Sequence, residues 1–419
     1  MDRLPTELSL SQVDRIVRER LSRLDISLGE EFLAQVRGAL EPLQGSIDIA
    51  RGELRSLVAM ATAAEELAVL RSINEQLVGV ASDLFLATGS APMVQEICTA
   101  AREAIVERVL ELARRELYFA GSYCEAPLSL FAVGSAGRRE ELLFSDQDYL
   151  FLHGSGEVIS VQMGEEPGDY FARLGSVFVN KLEAVGISRC SGGIMPVNEA
   201  WRGSVQQWES RLSHMLRLER SDWEKSIVNL IALMDVRFIC GDRDLGLGFG
   251  KSVRSRVREN PQAIRHMARV VSSMRLSKGF LRRFVVEADG LHRGEFNIKV
   301  MAWMPLVMCI RLLAVHVGIE ETSTPARIDR LRDTGRLTDQ MASELADAYH
   351  VITGHRLLQQ NRLRKRIIDD ACYINPHELP GPERERLRKA IGIIDDLQNM
   401  IRSEFSMATS ADRFINRSC

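Results

Sequence analysis

The sequence predicts an α+β protein that is mostly helical, with a small mixed sheet flanked by helical N-terminal and C-terminal regions. Apolar residues recur at three- and four-residue spacing through most of the chain, which is the helical period. Two short apolar runs, at 128–134 and 148–154, have strand length and are bounded by turn residues. At 419 residues the chain is too long for one ordinary core, so we expect more than one domain.

Residues 1–118 form the predicted helical N-terminal region. Helical spacing runs through "SQVDRIVRERLSRL", "LVAMATAAEELAVLRSINEQLVGVASDLFLA" and "MVQEICTAAREAIVERVLELARREL". Asp25 and the segment "ATGSAP" at 87–92 separate these helices. The last helix leads directly into the only stretch of the chain that is predicted to contain strands.

Residues 119–200 form the predicted α/β core. The runs "LSLFAVG" and "DYLFLHG" are predicted strands, "DYFARLGSVFVNKLEAVG" is a predicted helix, and "ISRCSGGIMPV" is a third short strand or extended segment. Residues 201–419 return to helical spacing. Its first helix is "SDWEKSIVNLIALMDVRFICG", with Ser221 as the N-cap and Gly241 as the C-cap.

One segment, "VMAWMPLVMCIRLLAVHVGI" at 300–319, has the length and apolar character of a membrane span. It contains Pro305, Arg311 and His316, and a charge near the centre of a bilayer is costly. We therefore expect a buried helix of a bundle here. The basic run "RLRKR" at 362–366 is interpreted as a solvated helix face.

The composition excludes several classes of partner. The 54 basic and 57 acidic residues nearly cancel, so no global field favours binding to nucleic acid or an anionic membrane. The N-terminus does not resemble a signal peptide. The seven cysteines are scattered without a CxxC pair and indicate reduced thiols, so we expect a cytoplasmic protein with neither a zinc site nor a disulfide framework.

The most informative stretch is "FAVGSAGRREELLFSDQDYLFLHG" at 131–154. Side chains two residues apart share one face of a strand, so Asp146 and Asp148 can point to the same place. Two such carboxylates repel each other unless a cation lies between them. Mg²⁺ suits them, because it is usually held by one or two carboxylates together with waters and substrate phosphates.

The residues before the carboxylates suit an anion. Gly134 and Ser135 end a strand and precede the predicted short helix "GRREELL", whose first backbone N–H groups can bind a phosphate. Gly134 and Gly137 allow close approach of the phosphate, Ser135 offers a hydroxyl, and Arg138 or Arg139 adds positive charge. Together the two halves fit a metal-chelated nucleoside triphosphate.

An isolated Asp-x-Asp is more often a capped turn, and it is the Gly-Ser ten residues upstream that favours a site. The second Asp-x-Asp, in "GDRDLG" at 241–246, is interpreted as a capping turn. His350 and His355 are poorly spaced for a shared metal and are interpreted as partly buried histidines. The lysines that could reach a triphosphate are Lys225, Lys278 and Lys299, although each alone is more often a surface lysine.

The pattern of Gly-Ser, ten residues and Asp-x-Asp resembles the signature of the DNA polymerase β-like nucleotidyltransferase superfamily. More closely, "GSAGRREELLFSDQDYLFL" is similar to the DUF294-type nucleotidyltransferases, relatives of the uridylyltransferase of nitrogen regulation. The resemblance extends over roughly residues 50–410, including "MDVRFICGDRDL" and the "INPHEL" region. No cyclic-nucleotide-binding or CBS segment is recognisable, and no His-Asp dipeptide of a phosphohydrolase module is present.

The resemblance implies a two-metal displacement, with Mg²⁺ or Mn²⁺ held by Asp146 and Asp148, in which an acceptor hydroxyl attacks the α-phosphorus of a nucleoside triphosphate. The superfamily usually adds a third carboxylate from a later strand, and "ISRCSGGIMPV" has no acid. Asp235, expected on a helix, matches a recurring family feature and is the candidate catalytic residue. Glu199 is the other acid near that segment.

Three functions follow from these residues. The first is a nucleotidyltransferase acting on an acceptor hydroxyl, with a regulatory protein as a candidate acceptor. The second is a catalytically weak or inactive sensor that binds Mg-nucleotide and signals through the helical regions, where a homo-oligomer could form. The third is a helical interaction protein with a vestigial pocket.

Overall fold

The computed structural model describes residues 30–160, 166–217, 223–276 and 284–405. It is an α+β protein, 66% helical, as the sequence predicts. The helices are α1 (Glu30–Ala63), α2 (Leu67–Thr88), α3 (Ala91–Phe119), α4 (Gly134–Arg138), α5 (Pro167–Ala184), α6 (Val205–Met215), α7 (Trp223–Leu233), α8 (Arg243–Gly246), α9 (Phe249–Arg258), α10 (Pro261–Ser273), α11 (Met304–Val317), α12 (Thr324–Asp333), α13 (Asp339–Arg364) and α14 (Gly381–Glu404).

The strands are short. They are β1 (Ser122–Cys124), β2 (Leu128–Ala132), β3 (Asp146–Gln147), β4 (Tyr149–His153), β5 (Val158–Ser160), β6 (Ser188–Arg189), β7 (Arg202–Ser204), β8 (Arg237–Gly241), β9 (Phe296–Asn297) and β10 (Tyr373–Ile374). A 3-10 turn covers Glu199–Trp201, and a π-helical turn covers Lys299–Trp303. The predicted helix "SQVDRIVRERLSRL" lies outside the described residues.

The main sheet has four strands in the order β7-β4-β2-β8. Strand β2 pairs antiparallel with both β4 and β8, and β4 pairs parallel with β7. The two predicted strands at its centre are therefore confirmed. Two of its four strands come from residues after 200, the predicted end of the α/β core, so the sheet draws on a longer part of the chain than that prediction assigned to it.

The sheet separates two apolar cores because its side chains alternate between its faces. Leu130 and Phe151 pack with the N-terminal helices and α5 in one cluster of buried residues. Phe131 and Leu150 pack with the C-terminal helices in another cluster. All four side chains are 0–1% exposed, so the strands read as continuous apolar runs. This burial on both faces fixes the register of the strands that carry the candidate site.

The prediction of one helix over residues 221–241 is wrong in its second half. Helix α7 ends at Leu233, and residues 237–241 form β8, which pairs with β2 along the edge of the main sheet. Gly241 is therefore at a strand end, with a φ of 100°, and not at a helix C-cap. The segment "VRFIC" is apolar and β-branched enough to pair, and the exposed edge of β2 supplies the partner. Ser221 lies outside the described residues.

The apolar segment at 300–319 is largely buried. Among the described residues, one stretch, Lys299–Val317, is long and apolar enough to cross a membrane by length and composition, and 72% of its most apolar window is buried inside the structure. Helix α11 packs at the centre of the C-terminal core, and its Arg311 is 4% exposed. The contacts of Arg311, described below, show why a charge is tolerated in this helix.

Candidate functional site

Asp146 and Asp148 lie where β3 runs into β4. Asp146 is exposed and Asp148 is half-buried. Between them, Gln147 is 0% exposed and its side-chain amide donates to the carbonyls of Val179, at 3.2 Å, and Ile187, at 2.8 Å. The intervening side chain is thus held in the interior, and the two carboxylates occupy alternate positions on the other side of the chain.

Gly134 is in direct contact with Asp148. Its φ is +59°, in the left-handed region that favours glycine. A Cβ at this position would lie 3.0 Å from Cγ of Asp148 and would collide with Oδ2. The backbone of Val133 also donates to the carbonyl of Asp148 at 2.9 Å. The turn after β2 is therefore fitted against the second carboxylate, and this fit requires a residue without a side chain.

The electrostatic environment of Asp148 is unusual for an aspartate. Burial raises the pKa of Asp148 to about 6, and the neighbouring charge of Asp146 adds to this effect. A hydrogen bond from the thiol of Cys190 and the positive charges of Arg138 and Lys299 oppose it. The pair is thus a concentration of negative charge that the protein only partly compensates.

Cys190 lies beside Asp148 because of the pairing of two short strands. Strand β3 runs parallel to β6, with Asp146 opposite Ser188 and Gln147 opposite Arg189, so the next residue of each strand is Asp148 and Cys190. Burial and the carboxylate of Asp148 raise the pKa of the Cys190 thiol to about 11. A neutral thiol therefore stands at the neighbouring strand position, within the segment "ISRCSGGIMPV" where the superfamily pattern would place a third acid.

The carboxylate pair fits a divalent cation as a two-ligand site. Within the described ranges neither Asp146 nor Asp148 forms an ion pair with a lysine or arginine, so both can accept a cation. The same ranges contain no group of three or more His, Cys, Asp or Glu side chains arranged to hold a metal. Mg²⁺ commonly takes only one or two protein carboxylates and completes its shell with water and substrate phosphates. The two carboxylates of Asp146 and Asp148 match this mode of Mg²⁺ coordination.

Ser135 opens the short helix next to Asp148. Its side chain is half-buried, and its hydroxyl forms no hydrogen bond to another residue in the part of the chain that the structure describes. Helix α4 begins at Gly134, before the predicted helix "GRREELL" at 137–143, and ends at Arg138. The prediction is wrong over 139–143, because Arg139 takes a left-handed φ of 58° and ends the helix. The hydroxyl and the first N–H groups of the turn, which have no partner within a helix, remain available for an anion.

Gly137 and Arg138 lie one layer below the surface of the site. A Cβ on Gly137 would lie 2.9 Å from the carbonyl oxygen of Ala132, so this glycine permits close packing. Arg138 is 2% exposed and donates to Glu140 at 2.7 Å and to Asp235 at 2.5 Å. The sequence predicts that Gly137 allows close approach of a phosphate and that Arg138 adds positive charge. The structure shows close packing around Gly137 and buried ion pairs for Arg138, and the role of each toward a phosphate stays a prediction.

The surroundings of Asp235 differ from those that the sequence predicts for a catalytic residue on a helix. It lies in the turn between α7 and β8, not on a helix, and is 0% exposed. Its carboxylate accepts hydrogen bonds from Arg311 at 3.0 Å, Arg327 at 2.8 Å and Arg138. Burial opposes its charge, but the three guanidinium groups outweigh burial and lower its pKa to about 2. These contacts occupy both oxygens and favour a structural role over metal binding.

Arg102 is a residue of the site that motif reasoning missed. It projects from α3, is 2% exposed and donates to the carbonyls of Leu142, at 2.6 Å, and Leu143, at 2.5 Å. Its guanidinium also lies 3.4 Å from the hydroxyl of Ser145. The N-terminal helices thus hold the loop that delivers Asp146 to the site. The available signal was an arginine on the buried face of a helix, where Gln95 and Thr99 are the other buried polar side chains among the described residues.

The remaining sequence candidates have ordinary surroundings. Asp242 caps the short helix α8 by accepting from the N–H of Leu245 at 2.8 Å, which confirms the capping turn. Lys225 is exposed, whereas Lys299 acts electrostatically on Asp148. Lys278 lies outside the described residues. The six cysteines within the described residues are free thiols: Cys98, Cys124, Cys190, Cys240, Cys309 and Cys372.

Two curated bacterial enzymes illustrate the similarity to known proteins. The bifunctional glutamine synthetase adenylyltransferase/adenylyl-removing enzyme of Xanthomonas axonopodis pv. citri is 27% identical over 67% of this chain and 31% of its own length. The enzyme of the same name from Xanthomonas campestris pv. campestris is 27% identical over 73% of this chain and 34% of its own length. The chain thus spans about a third of the length of these relatives.

Two family models match the chain in succession. The model described as "Putative nucleotidyltransferase DUF294" matches residues 75–222, which include the Gly-Ser turn and both carboxylates. The model described as "Putative nucleotidyltransferase substrate binding domain" matches residues 261–405, which include α11 and α13. The resemblance seen in the motif therefore extends over three of the four strands of the main sheet and over the C-terminal helices, and the chain belongs to the DUF294-type nucleotidyltransferases.

Proposed function

We propose that this protein transfers a nucleoside monophosphate from a nucleoside triphosphate to an acceptor hydroxyl, with Mg²⁺ or Mn²⁺ as the cofactor. One observation carries the proposal: a recessed Asp148 fitted against Gly134, with an exposed Asp146 beside it and no lysine or arginine ion-paired to either within the described ranges. A structural acidic pair would be expected to carry such partners, as Asp235 does.

The chain's own residues would act mainly by positioning and electrostatics. Asp146 and Asp148 would hold the cation, which when bound lowers the pKa of an attacking hydroxyl and neutralises phosphate charge. Ser135 and the first N–H groups of α4 would bind a phosphate oxygen. The buried charge of Arg138 would favour an anion at this place without contacting it.

The acceptor hydroxyl must lose its proton during the transfer. In the superfamily pattern a third carboxylate assists, and here the neighbouring strand position carries Cys190, whose raised pKa keeps it protonated near neutral pH. Asp235 is fully engaged by arginines. We therefore propose that the proton leaves to water or to a group of the substrate, and that the chemical step is slower than in relatives with three carboxylates.

A protein is the acceptor class that we favour. The relatives are named as adenylyltransferases of glutamine synthetase, and that name describes a protein acceptor. Nearly balanced charge, with 54 basic and 57 acidic residues, gives no support for nucleic acid as acceptor. The reduced thiols fit a cytoplasmic setting, and no membrane partner is included in the proposal.

One observation favours a second candidate, a sensor that binds Mg-nucleotide without transferring it. The thiol of Cys190 at the place of an acid leaves the site with two carboxylates. Binding of a metal-chelated triphosphate needs no third carboxylate, whereas fast transfer benefits from one. The sensor and the transferase therefore share a binding site and differ in the fate of the α-phosphate.

The test is transfer of α-phosphate-labelled ATP, UTP, GTP and CTP, with Mg²⁺ or Mn²⁺, to proteins and small molecules of the host lysate. The Asp146→Asn/Asp148→Asn variant removes both proposed ligands. The matched control is Asp242→Asn/Asp244→Asn, which changes the second, exposed Asp-x-Asp and leaves Asn as a good helix cap.

Label transferred by the wild type and the control, but not by the first variant, would support the transferase and identify base and acceptor class. Metal-dependent nucleotide binding without transfer, lost in the same variant, would support the sensor. Nucleotide binding that is unchanged in the Asp146→Asn/Asp148→Asn variant would contradict both and favour a helical interaction protein with a vestigial pocket.

A further inference from the structure

Arg356 on α13 is a partly buried arginine without a carboxylate partner. Its guanidinium lies over the ring of Trp303, 4.3 Å from the ring centroid, and the guanidinium of Arg138 lies 5.1 Å from the centroid of the same ring. Within the described residues Arg356 forms no ion pair. Burial lowers the pKa of Arg356 to about 10. The carboxylate of Glu140 acts on Arg356 electrostatically but forms no ion pair with it, so an anionic ligand would give this partly buried cation a direct partner.

Trp303 and Lys299 belong to the π-helical turn that precedes α11. Such turns are rare and often lie at functional sites, because the wider turn re-aims its side chains. Lys299, at the start of this turn, acts electrostatically on both Asp148 and Cys372. Arg356 also acts on Cys372. The carbonyl of Cys372 accepts from the N–H of Ile298 at 2.8 Å, so Cys372 lies beside this turn. Lys299 and Arg356 therefore border one region around Cys372, and Lys299 connects this region electrostatically to Asp148.

The buried charged side chains around Asp235 carry an excess of positive charge. Arg138, Arg311 and Arg327 share the carboxylate of Asp235, and within the described ranges Arg138 is the one ion-pair partner of Glu140. Three buried guanidinium groups thus face two buried carboxylates before Arg356 and Lys299 are added. The excess is positive, and it lies on the side of the site that the C-terminal helices supply. A polyanion bound beside Asp148 would balance it.

We propose that Lys299 and Arg356 bind the β- and γ-phosphates of the nucleoside triphosphate and hold the pyrophosphate that leaves. This inference rests on the proposed function and assigns the leaving-group side of the same site. In the transfer step the acceptor oxygen forms a bond to the α-phosphorus, and the bond from that phosphorus to the bridging oxygen breaks. The electron pair stays with pyrophosphate, whose added charge the two cations stabilise, while the acceptor proton goes to water.

Trp303 has a positioning role in this arrangement. Its ring stacks the guanidinium of Arg356, which restricts the side chain while leaving its five N–H donors free to point at phosphate oxygens. The planar fork of an arginine suits two phosphate oxygens at once, and lysine adds a point charge. The helical C-terminal region would thus complete a site whose metal ligands come from the sheet.

The test measures binding of magnesium pyrophosphate and of magnesium ATP by calorimetry, together with the free energy of unfolding. Arg356→Met keeps a long side chain over Trp303 and removes the charge, and Lys299→Met does the same at the π-helical turn. The matched control is Arg362→Gln, an exposed arginine on the same helix whose guanidinium contacts only Gln359. We expect each Met variant to weaken pyrophosphate binding by about 10- to 100-fold, the value of a lost charged hydrogen bond.

A structural role for Arg356 predicts a different result. If its stacking on Trp303 matters only for folding, Arg356→Met should destabilise the protein and leave the pyrophosphate affinity of the folded fraction unchanged, and that result would overturn the inference. We expect the free energy of unfolding to change by about 1 kcal/mol or less, because Met keeps the packing over Trp303 and only the cation–π contact and the attraction of Glu140 are lost.

The proposed function and this inference fail in different ways. Transfer and pyrophosphate binding by Arg356→Met and Lys299→Met at wild-type level would overturn the inference alone. A wild-type protein that binds neither pyrophosphate nor any nucleoside triphosphate would overturn both. Loss of pyrophosphate affinity in the two Met variants, with the Arg362→Gln control unaffected, would support the inference.

Discussion

The replacement Asp235→Asn separates a structural role of this residue from a catalytic one. Asn has nearly the same shape as Asp but lacks its charge. Among the residues that the structure describes, Glu140 would then be the one carboxylate still paired with this group of Arg311, Arg327 and Arg138. Each of these arginines is 0–4% exposed, so water cannot replace the lost counter-charge. We expect a strongly destabilised protein whose site chemistry is otherwise intact.

The size of the expected destabilisation follows from the burial and the pKa of Asp235. A pKa of about 2, against the ordinary 3.8, corresponds to about 2 kcal/mol of stability. Removing one partner of a fully buried ion pair typically costs about 3–5 kcal/mol. Because the folded pKa is depressed, this stability is present above pH 3.8 and is lost as the pH falls through 2. At pH 7 we therefore expect Asp235→Asn to lower the free energy of unfolding by about 3–5 kcal/mol.

The assay is urea unfolding at pH 7 followed by tryptophan fluorescence, combined with Mn²⁺ binding at a temperature where the variant is folded. Asp146→Asn serves as the comparison, because Asp146 is exposed and its replacement should change stability by less than about 0.5 kcal/mol. A variant at Asp235 with wild-type stability and lost Mn²⁺ binding would refute the structural role and place this carboxylate in the metal site.

Three further predictions concern the turn and loop that position the carboxylates. Gly134→Ala should lower stability by about 1–2 kcal/mol and lower transfer more than tenfold, because its Cβ collides with Asp148 at a left-handed φ. The control Gly168→Ala, in a helix and with open space around it, should keep wild-type transfer and stay the same or gain up to about 1 kcal/mol of stability in parallel assays. Arg102→Met should weaken nucleotide binding in calorimetry, because the loop before Asp146 loses its anchor to two backbone carbonyls; unchanged affinity would contradict this. Burial raises the pKa of Glu141 to about 7, so the wild type loses stability as the pH rises from 4.5 to 8. Glu141→Gln lacks this loss and should become more stable than the wild type over that range, by up to about 3 kcal/mol. Equal urea midpoints of the two proteins at all pH values would argue against a buried neutral carboxyl.

The parts of the site that depend on local patterns were predictable from the sequence. The strands at 128–132 and 149–153 are short apolar runs bounded by turns, and the structure confirms them. The contact between Gly134 and Asp148 follows from pairing these two strands, because it places the end of one beside the start of the other. The function of the carboxylate pair itself remains a prediction.

The parts that depend on distant residues were not predictable. Asp235 has its role set by Arg311 and Arg327, which are 76 and 92 residues away in the chain. Strand β8 was mistaken for helix because its apolar residues continue the spacing of α7, and only pairing with β2 distinguishes the two. The stacking of Arg356 on Trp303 joins two separate helical segments, and no spacing of residues in the sequence predicts this contact.

The most direct measurement is anomalous diffraction from crystals of the protein with Mn²⁺ and a non-hydrolysable ATP analogue. The proposed site predicts a manganese peak between Asp146 and Asp148, with metal–oxygen distances of about 2 Å to both carboxylates and to the triphosphate. Nucleotide bound elsewhere, or bound at this turn with no manganese between the two aspartates, would contradict it.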